Sequence, residues 1–490
     1  MNKFILSSLV SSVMFLSSQS AMAEQDSRVA TLKSYFKQCH KAQLCNGSFL
    51  VAEDGKVLYH QAMGVNHKGD MPLSTSHQFD IGSISKQFTA VAIMMLQEQG
   101  KLNFEDKVIQ HIPDFPYEQI TIKHLLNHTS GIADMMPYLT SLYRQGKVTA
   151  SLDQNTVLDA LIDQAPEAMF QPGAQWRYSN TGYVVLATLV SKISKQSYGE
   201  FLQSNIFTPL KMAQSVSRTS KTEHRLTERA YGFRQQINGT QRTFDQIPFF
   251  DIEGMGGIYS TTSDLYAWDQ ALHSHKLLSP KTWKSATQLT KTTDGKTKEY
   301  GFGFMLKPDA FNQQKVGHSG HWRAFKSIYT RQVEDNRTII LLTNSGQDDS
   351  VDANEKAVDA ILAGQAYEFI QQPISQVLYG VFKQDINKAL STYHQLKADQ
   401  AAGYDFSEGQ LNDLGYVLLQ EEHVQAAIAA FELNVEAFPK SPNALDSLAE
   451  ALISNGQKRA ATKRLKQALE IDSNFASAKQ QLAKLNDAKL

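Results

Sequence analysis

Three short motifs lie far apart in the chain yet carry complementary chemistry: Ser83-x-x-Lys86, Tyr178-Ser179-Asn180 and His318-Ser319-Gly320. A chain that uses them together must bring an early, a middle and a late segment to one point, and this constrains the fold more than composition does. Ser-x-x-Lys alone says little, since Ser34 and Lys37 also fit it; Tyr-x-Asn and His-Ser-Gly each occur once. The residue types suit nucleophilic catalysis. A serine hydroxyl is a weak nucleophile and needs a neighbour to take its proton. Ser83 heads an apolar helix spanning Gln87 to Gln99, with Gly100 as C-terminal cap. Three residues make about one helical turn, so Lys86 returns beneath Ser83. The helix N-terminus favours negative charge on Ser83 Oγ and disfavours a charged Lys86. Lysine and tyrosine ordinarily titrate near about 10.4 and about 10, so neither is a useful base at neutral pH until its surroundings shift it. The expectation is that cationic Lys86 lowers the pKa of Tyr178, while Asn180 holds Lys86 and donates to a substrate amide oxygen.

The surrounding segments extend the pattern. Phe79 to Ala90 reads FDIGSISKQFTA, Ile120 to Ile132 reads ITIKHLLNHTSGI, and Tyr178 to Leu186 reads YSNTGYVVL. Gly254 to Thr262 reads GMGGIYSTT, followed by DLYAWDQAL, and Gly317 to Ser327 reads GHSGHWRAFKS. Over roughly residues 28–362 the chain resembles the serine hydrolase family that contains class C β-lactamases, D,D-peptidases, D-aminopeptidases and family VIII-type esterases. The resemblance implies Ser83 as the acylated nucleophile, Lys86 and Tyr178 as the acid/base pair, and the backbone N–H groups of Ser83 and His321 as an oxyanion hole. It also implies substrate binding by Asn180, His318, Ser319, Gly320, His321 and Arg323.

Two departures from that family's usual pattern bear on substrate. Many relatives have Lys-Thr-Gly where this chain has His318-Ser319-Gly320. A histidine, titrating near about 6.5, is mostly neutral at pH 7 and holds a carboxylate less well, unless Arg323 supplies the charge. His321 and Ala324 stand where relatives often carry glycine, and the His321 side chain would crowd the site mouth. Both departures favour an esterase or an amidohydrolase acting on D-residue or amine-capped substrates over a β-lactamase.

Other residues are read as structural. His128 should fix a loop through hydrogen bonds, Trp176 should pack in the core, and Gly256 and Gly257 should serve a tight turn or a close backbone approach. His60, His67, His77, His111 and His124 fall in no metal-ligand spacing, so neither metal nor cofactor is expected.

Residues 1–23 read as a secretory leader: Lys3, an apolar stretch from Phe4 to Leu16, and Ala21-Met22-Ala23 as a cleavage site after Ala23. The expected location is therefore secreted, in the periplasm, with no transmembrane segment after cleavage. In such a compartment Cys39 and Cys45, the two cysteines of the chain, should form a disulfide just before a first strand at Ser48 to Ala52. Removing the leader leaves 47 basic against 49 acidic residues. That near-neutral balance argues against nucleic acid and against an electrostatic membrane role.

Past about residue 363 glycine becomes scarce and a repeat of 34 positions appears. Leu411 aligns with Leu445, Leu414 with Leu448, Gly415 with Ala449, Leu418 with Leu452, Ala427 with Ala461 and Phe431 with Leu465. Period, small residues at helix crossings and Pro439 resemble tetratricopeptide repeats, which bind a protein partner or buttress a neighbouring domain.

The whole reading is an α+β chain. A leader (1–23) precedes a β-lactamase-like hydrolase domain (24–362), in which an antiparallel sheet is flanked by helices and an all-helical subdomain. A linker and helical segment (363–405) leads to all-α repeats (406–490). The expected activity is hydrolysis of an ester or amide through a Ser83 acyl-enzyme by an esterase, D-aminopeptidase, D-peptidase or β-lactamase-like enzyme. The alternative is a non-catalytic binding protein that recruits a partner through its repeats.

Overall fold

The computed structural model describes residues 25–487 except 68–70, 149–151, 248, 250, 310, 347–349 and 400–402. The expected leader lies outside the described residues. The chain forms two compact units. The first runs to Glu368 without Gln235–Arg242; the second comprises Gln235–Arg242 and the residues from Phe369 onward.

The first unit is built on a five-stranded antiparallel sheet. Its strands are β1 (Gly47–Glu53), β2 (Lys56–Met63), β3 (Lys315–Trp322), β4 (Phe325–Gln332) and β5 (Arg337–Thr343), in the order β3-β4-β5-β1-β2. The chain's early hairpin thus joins its late strands, with Gly47 opposite Thr343 and Glu53 opposite Arg337. The turn at Asp54-Gly55 joins β1 to β2, and the first strand expected at Ser48 to Ala52 lies within β1. Phe49 to Ala52 and Ile339 to Leu342 are buried without alternation, because helices cover both faces of the sheet. On one face Phe36, from the helix over residues 25–41, stacks on Phe49 and Tyr59 at 4.9 and 4.8 Å between centroids. On the other, Asp269 of the helix Thr262–His273 accepts from Tyr329 at 2.9 Å and pairs with Arg331 at 2.6 Å. Cys39 and Cys45, both buried, form a disulfide at the end of the leading helix.

Two helices carry the early and middle motifs: α1 (Ser85–Glu98) and α2 (Asn180–Ser194), packed against each other. α1 is buried over most of its circumference, which explains its nearly unbroken apolar sequence. Phe88 stacks on Trp268 at 4.0 Å, and Thr89 Oγ1 donates to the Gly254 carbonyl at 2.7 Å. Ser83 is not in α1 itself but in a 3-10 turn, Gly82–Ile84, that leads into it.

The second unit is helical: α3 (Ile374–Gln384), α4 (Ile386–Ala398), α5 (Glu408–Gln420), α6 (Val424–Ala437), α7 (Pro442–Ser454), α8 (Lys458–Ile471) and α9 (Ala476–Asp487). The residues matched at 34 positions all lie in one apolar core or line it, and a Cβ at Gly415 would stand 2.5 Å from the Phe431 ring. Ile374, Leu378, Phe382, Ala389 and Tyr393 share that core, so the helical segment expected before the repeats, α3 and α4, packs into the same unit.

Candidate active site

The site grows from the 3-10 turn. Gly82 has a φ of +53°, and a Cβ there would stand 2.6 Å from the His321 backbone nitrogen, so only glycine lets this turn lie against β3. Gly320 answers it from the strand: a Cβ there would collide with the Ile81 carbonyl, which instead accepts from Ser327 Oγ at 2.8 Å. Ser83 is thereby held beside the backbone of His321.

Lys86, one turn on, is fully buried. Its Nζ lies 3.1 Å from Ser83 Oγ, 2.9 Å from Asn180 Oδ1 and 2.6 Å from the Met255 carbonyl. Burial brings its pKa down to about 7, against an opposing pull from Asp134. The hydrogen-bond count then has a consequence. A neutral amine has two hydrogens and one lone pair; the two carbonyl oxygens take the hydrogens, and the lone pair is left for the Ser83 hydroxyl. Asp134 fixes the amide that makes this work, accepting from Asn180 Nδ2 at 3.3 Å so that Oδ1 faces the lysine.

The middle motif divides its labour by position. Ser179 caps α2, its Oγ accepting from Gly182 N at 3.1 Å, while its own N–H donates to His128 Nδ1 at 3.1 Å. His128 therefore fixes this loop, as its sequence context suggested. Tyr178 projects its ring beside Lys86, with Nζ 4.8 Å from the ring centroid. Its hydroxyl is buried, and burial raises its pKa far above 10, offset in part by a hydrogen bond with Ser83. The expected lowering of Tyr178 is therefore overturned. One low-dielectric site disfavours both charges, phenolate and ammonium, so the lysine becomes the group that titrates near neutrality.

His318 departs from its expected place. It is buried, its Nε2 lies 3.1 Å from the Tyr300 hydroxyl and its Nδ1 2.5 Å from the Ser319 carbonyl. Desolvation, with the nearby Lys86, lowers its pKa to about 3. It is a neutral wall behind Tyr178 and not part of the cavity lining. Ser319 and Gly320 also stay out of the lining, Ser319 against Met305 and Gly320 against Ile81. Trp176 packs edge-on against His128 at 5.8 Å.

A cavity of about 470 Å³ opens beside Ser83, lined also by Tyr178, Asn180, Gly256, His321 and Arg323. The His321 side chain is exposed at its mouth, with Nε2 3.2 Å from the Arg323 carbonyl. Sequence reasoning missed several contributors: Asp134, the Met255 carbonyl, Arg234, Phe244 and Gln246. Asp134 stands two residues beyond the quoted HTSGI stretch, and that proximity was its one available signal.

A family model described as Beta-lactamase matches residues 32–363. The chain belongs to the β-lactamase family, whose members are serine hydrolases. Within that family it is 32% identical over 421 residues to penicillin-binding protein 4* of Bacillus subtilis, covering 84% of this chain and 89% of that protein. An aligned share of 84% exceeds the part of the chain before Phe369, so the similarity continues into the helical unit. Among solved structures, the octameric penicillin-binding protein homologue from Pyrococcus abyssi superposes with a TM-score of 0.61 at 25% identity, covering 69% of this chain and 78% of that one. The D-amino acid amidase from Ochrobactrum anthropi shares the fold, with a TM-score of 0.59 at 21% identity over 69% of this chain and 99% of the other. A β-lactamase-family chain with a helical second unit is thus established.

Proposed function

We propose that this protein hydrolyses an ester or amide through an acyl-enzyme on Ser83. The observation that carries the reading is the buried Lys86 amine, with Nζ 3.1 Å from Ser83 Oγ, 2.9 Å from Asn180 Oδ1 and 2.6 Å from the Met255 carbonyl. Ser83 Oγ attacks the substrate carbonyl carbon as its proton passes to Lys86 Nζ. The backbone N–H groups of Ser83 and His321 receive the developing oxyanion. As the tetrahedral centre collapses, the carbonyl–leaving group bond breaks, and Tyr178 relays the proton from Lys86 to the departing oxygen or nitrogen. Water then adds to the acyl carbon, giving its proton to the same pair, which returns it to Ser83 Oγ as the ester bond breaks and the acid is released. Tyr178 acts as a neutral relay, since its phenolate is the costlier charge in this pocket.

The likeness to penicillin-binding protein 4* supports acylation by penicillin-like donors. A neutral His318 in place of a lysine supports slow turnover of them and a preference for other esters or amides. The Ala21-Met22-Ala23 signal supports work outside the cytoplasm, in the periplasm; among the described residues no helix is long and apolar enough to cross a membrane. The 34-position period supports tetratricopeptide-like packing in the second unit, which suits a protein partner.

Intact mass after brief exposure to a penicillin tests the mechanism. A drug-sized adduct on the native protein and none on Ser83→Ala is the expected result; an adduct surviving in Ser83→Ala would remove Ser83 from its role.

A further inference from the structure

Asp80, Gln246 and Trp322 line the cavity beside Ser83 and take no part in the proton transfers described above. They are joined by hydrogen bonds. Asp80 Oδ1 accepts from the Gly82 N–H at 2.9 Å, and its Oδ2 accepts from Gln246 Nε2 at 3.1 Å. Gln246 Oε1 accepts in turn from Trp322 Nε1 at 2.7 Å. One end of this chain holds the residue before Ser83, and the other holds the residue after His321. Those are the neighbours of the two backbone donors that receive the oxyanion.

The chemistry of the three groups permits one arrangement. A carboxylate only accepts and an indole N–H only donates, so the Gln246 amide between them has a single orientation. Its second amide hydrogen goes to the hydroxyl of Tyr259 at 2.6 Å, the residue paired with Asp80 across the adjoining strands. Asp80 is buried, and burial raises its pKa to about 6. The Gly82 N–H, Gln246 and Arg218 pull the other way, and Asp245 adds to the rise. Arg218, buried on the same cavity wall and bonded to Glu223 at 3.2 Å, thus supplies positive field that favours the carboxylate. At about pH 8 Asp80 is ionised and accepts both bonds at charge-assisted strength. Gly82, at a φ of +53°, has no side chain to anchor the turn, so the acceptor of its N–H helps to set where Ser83 sits. Ser327 Oγ already ties the Ile81 carbonyl to β4, and the chain through Asp80 adds a second tie on another peptide of the same turn.

We infer that Asp80, Gln246 and Trp322 are positioning residues that set the spacing between the N–H groups of Ser83 and His321, and so the fit of the oxyanion hole to the transition state. The inference rests on the hydrolase reading above and adds to it the side chains that hold the hole in shape. Such a hole works through donors fixed in advance, and a misplacement of about 1 Å costs on the order of a hundredfold in rate.

The test reverses the polarity of the chain. Asp80→Asn sets two N–H donors against each other at the junction with Gln246, and Gln246→Glu sets two carboxylates against each other. Each breaks the chain with little change of shape. In the double variant Asp80→Asn/Gln246→Glu the amide at position 80 donates to the carboxylate at position 246, which still accepts from Trp322 Nε1. The full-length proteins are compared at about pH 8 on p-nitrophenyl butyrate, a neutral ester. Each single variant should lose about tenfold or more in kcat with KM within about twofold, and the double variant should recover most of the loss. Trp322→Phe should lose kcat too, and Gln246→Glu should not rescue it. Where the ester is not turned over, the rate of acylation by a penicillin takes the place of kcat. Losses that simply add in the double variant, or an unchanged kcat in both single variants, overturn the inference, while Ser83-dependent turnover by the native protein leaves the hydrolase reading standing. If the native protein neither hydrolyses the ester nor takes up a penicillin, the hydrolase reading fails and amide exchange of the peptide over residues 80–88 decides separately. Faster exchange in each single variant, returned to the native rate in the double, supports the positioning of the turn; additive or absent changes overturn it.

Discussion

Lys86 is where the site's electrostatics become measurable. Its pKa of about 7 means that kcat/KM should fall about tenfold per pH unit below about 7 and level off above it. His318 and His128 are held neutral by burial, so neither should add an inflection near 6.5. Asp134 pulls the lysine upward, so Asp134→Asn should move this limb to lower pH, and should also lower kcat because Asn180 then loses the partner that orients its amide. A pH–rate profile of the two proteins checks both signs. Stability follows from the same residue. The folded pKa lies below the unfolded value of about 10.4, so between about pH 7 and that value the unfolded chain holds the extra proton. Stability from this group therefore rises as pH rises through that window, and the full cost of burying the cation applies below pH 7. Lys86→Met should accordingly raise Tm, and more at pH 6 than at pH 10. The sequence placed Ser83, Lys86, Tyr178 and Asn180 in one constellation, because three spaced motifs are a strong local signal. It expected a lowered pKa for Tyr178, whereas burial, which no spacing rule reads, raises it.

At the level of elements, the late motif acts through backbone more than through side chains. Gly320 has an ordinary φ, so its restriction is space: β3 runs against the Ile81 carbonyl. Gly320→Ala should push the strand away from the Ser83 turn, costing about 1–3 kcal/mol of stability and at least tenfold in kcat/KM. Chemical denaturation beside an ester assay measures the two losses. The small disulfide loop offers a contrast. Replacing Cys39 and Cys45 together by serine should cost about 2 kcal/mol at most and leave kcat unchanged, since the loop lies at the end of the leading helix. The strands themselves were legible from turn residues and apolar runs. The burial of His318 was not, because its partner Tyr300 comes from a loop with no pattern of its own.

At the scale of the molecule, the second unit is helical, as the sequence past about residue 363 led one to expect, and Gly415 lies against the Phe431 ring. The helical segment expected within 363–405 is α3 and α4, whose apolar faces complete the same core. In the first unit the early strand β1 pairs with the late strand β5, so this pairing forms only after nearly the whole unit has been made. That closure has a temporal meaning. Until the last strand is seated, β3 has no scaffold against which to face the Ser83 turn, and Lys86 stays wet and protonated like any surface lysine. Reactivity toward an acylating probe should therefore appear late and all at once in a refolding time course, making the active serine a clock for completion of the sheet.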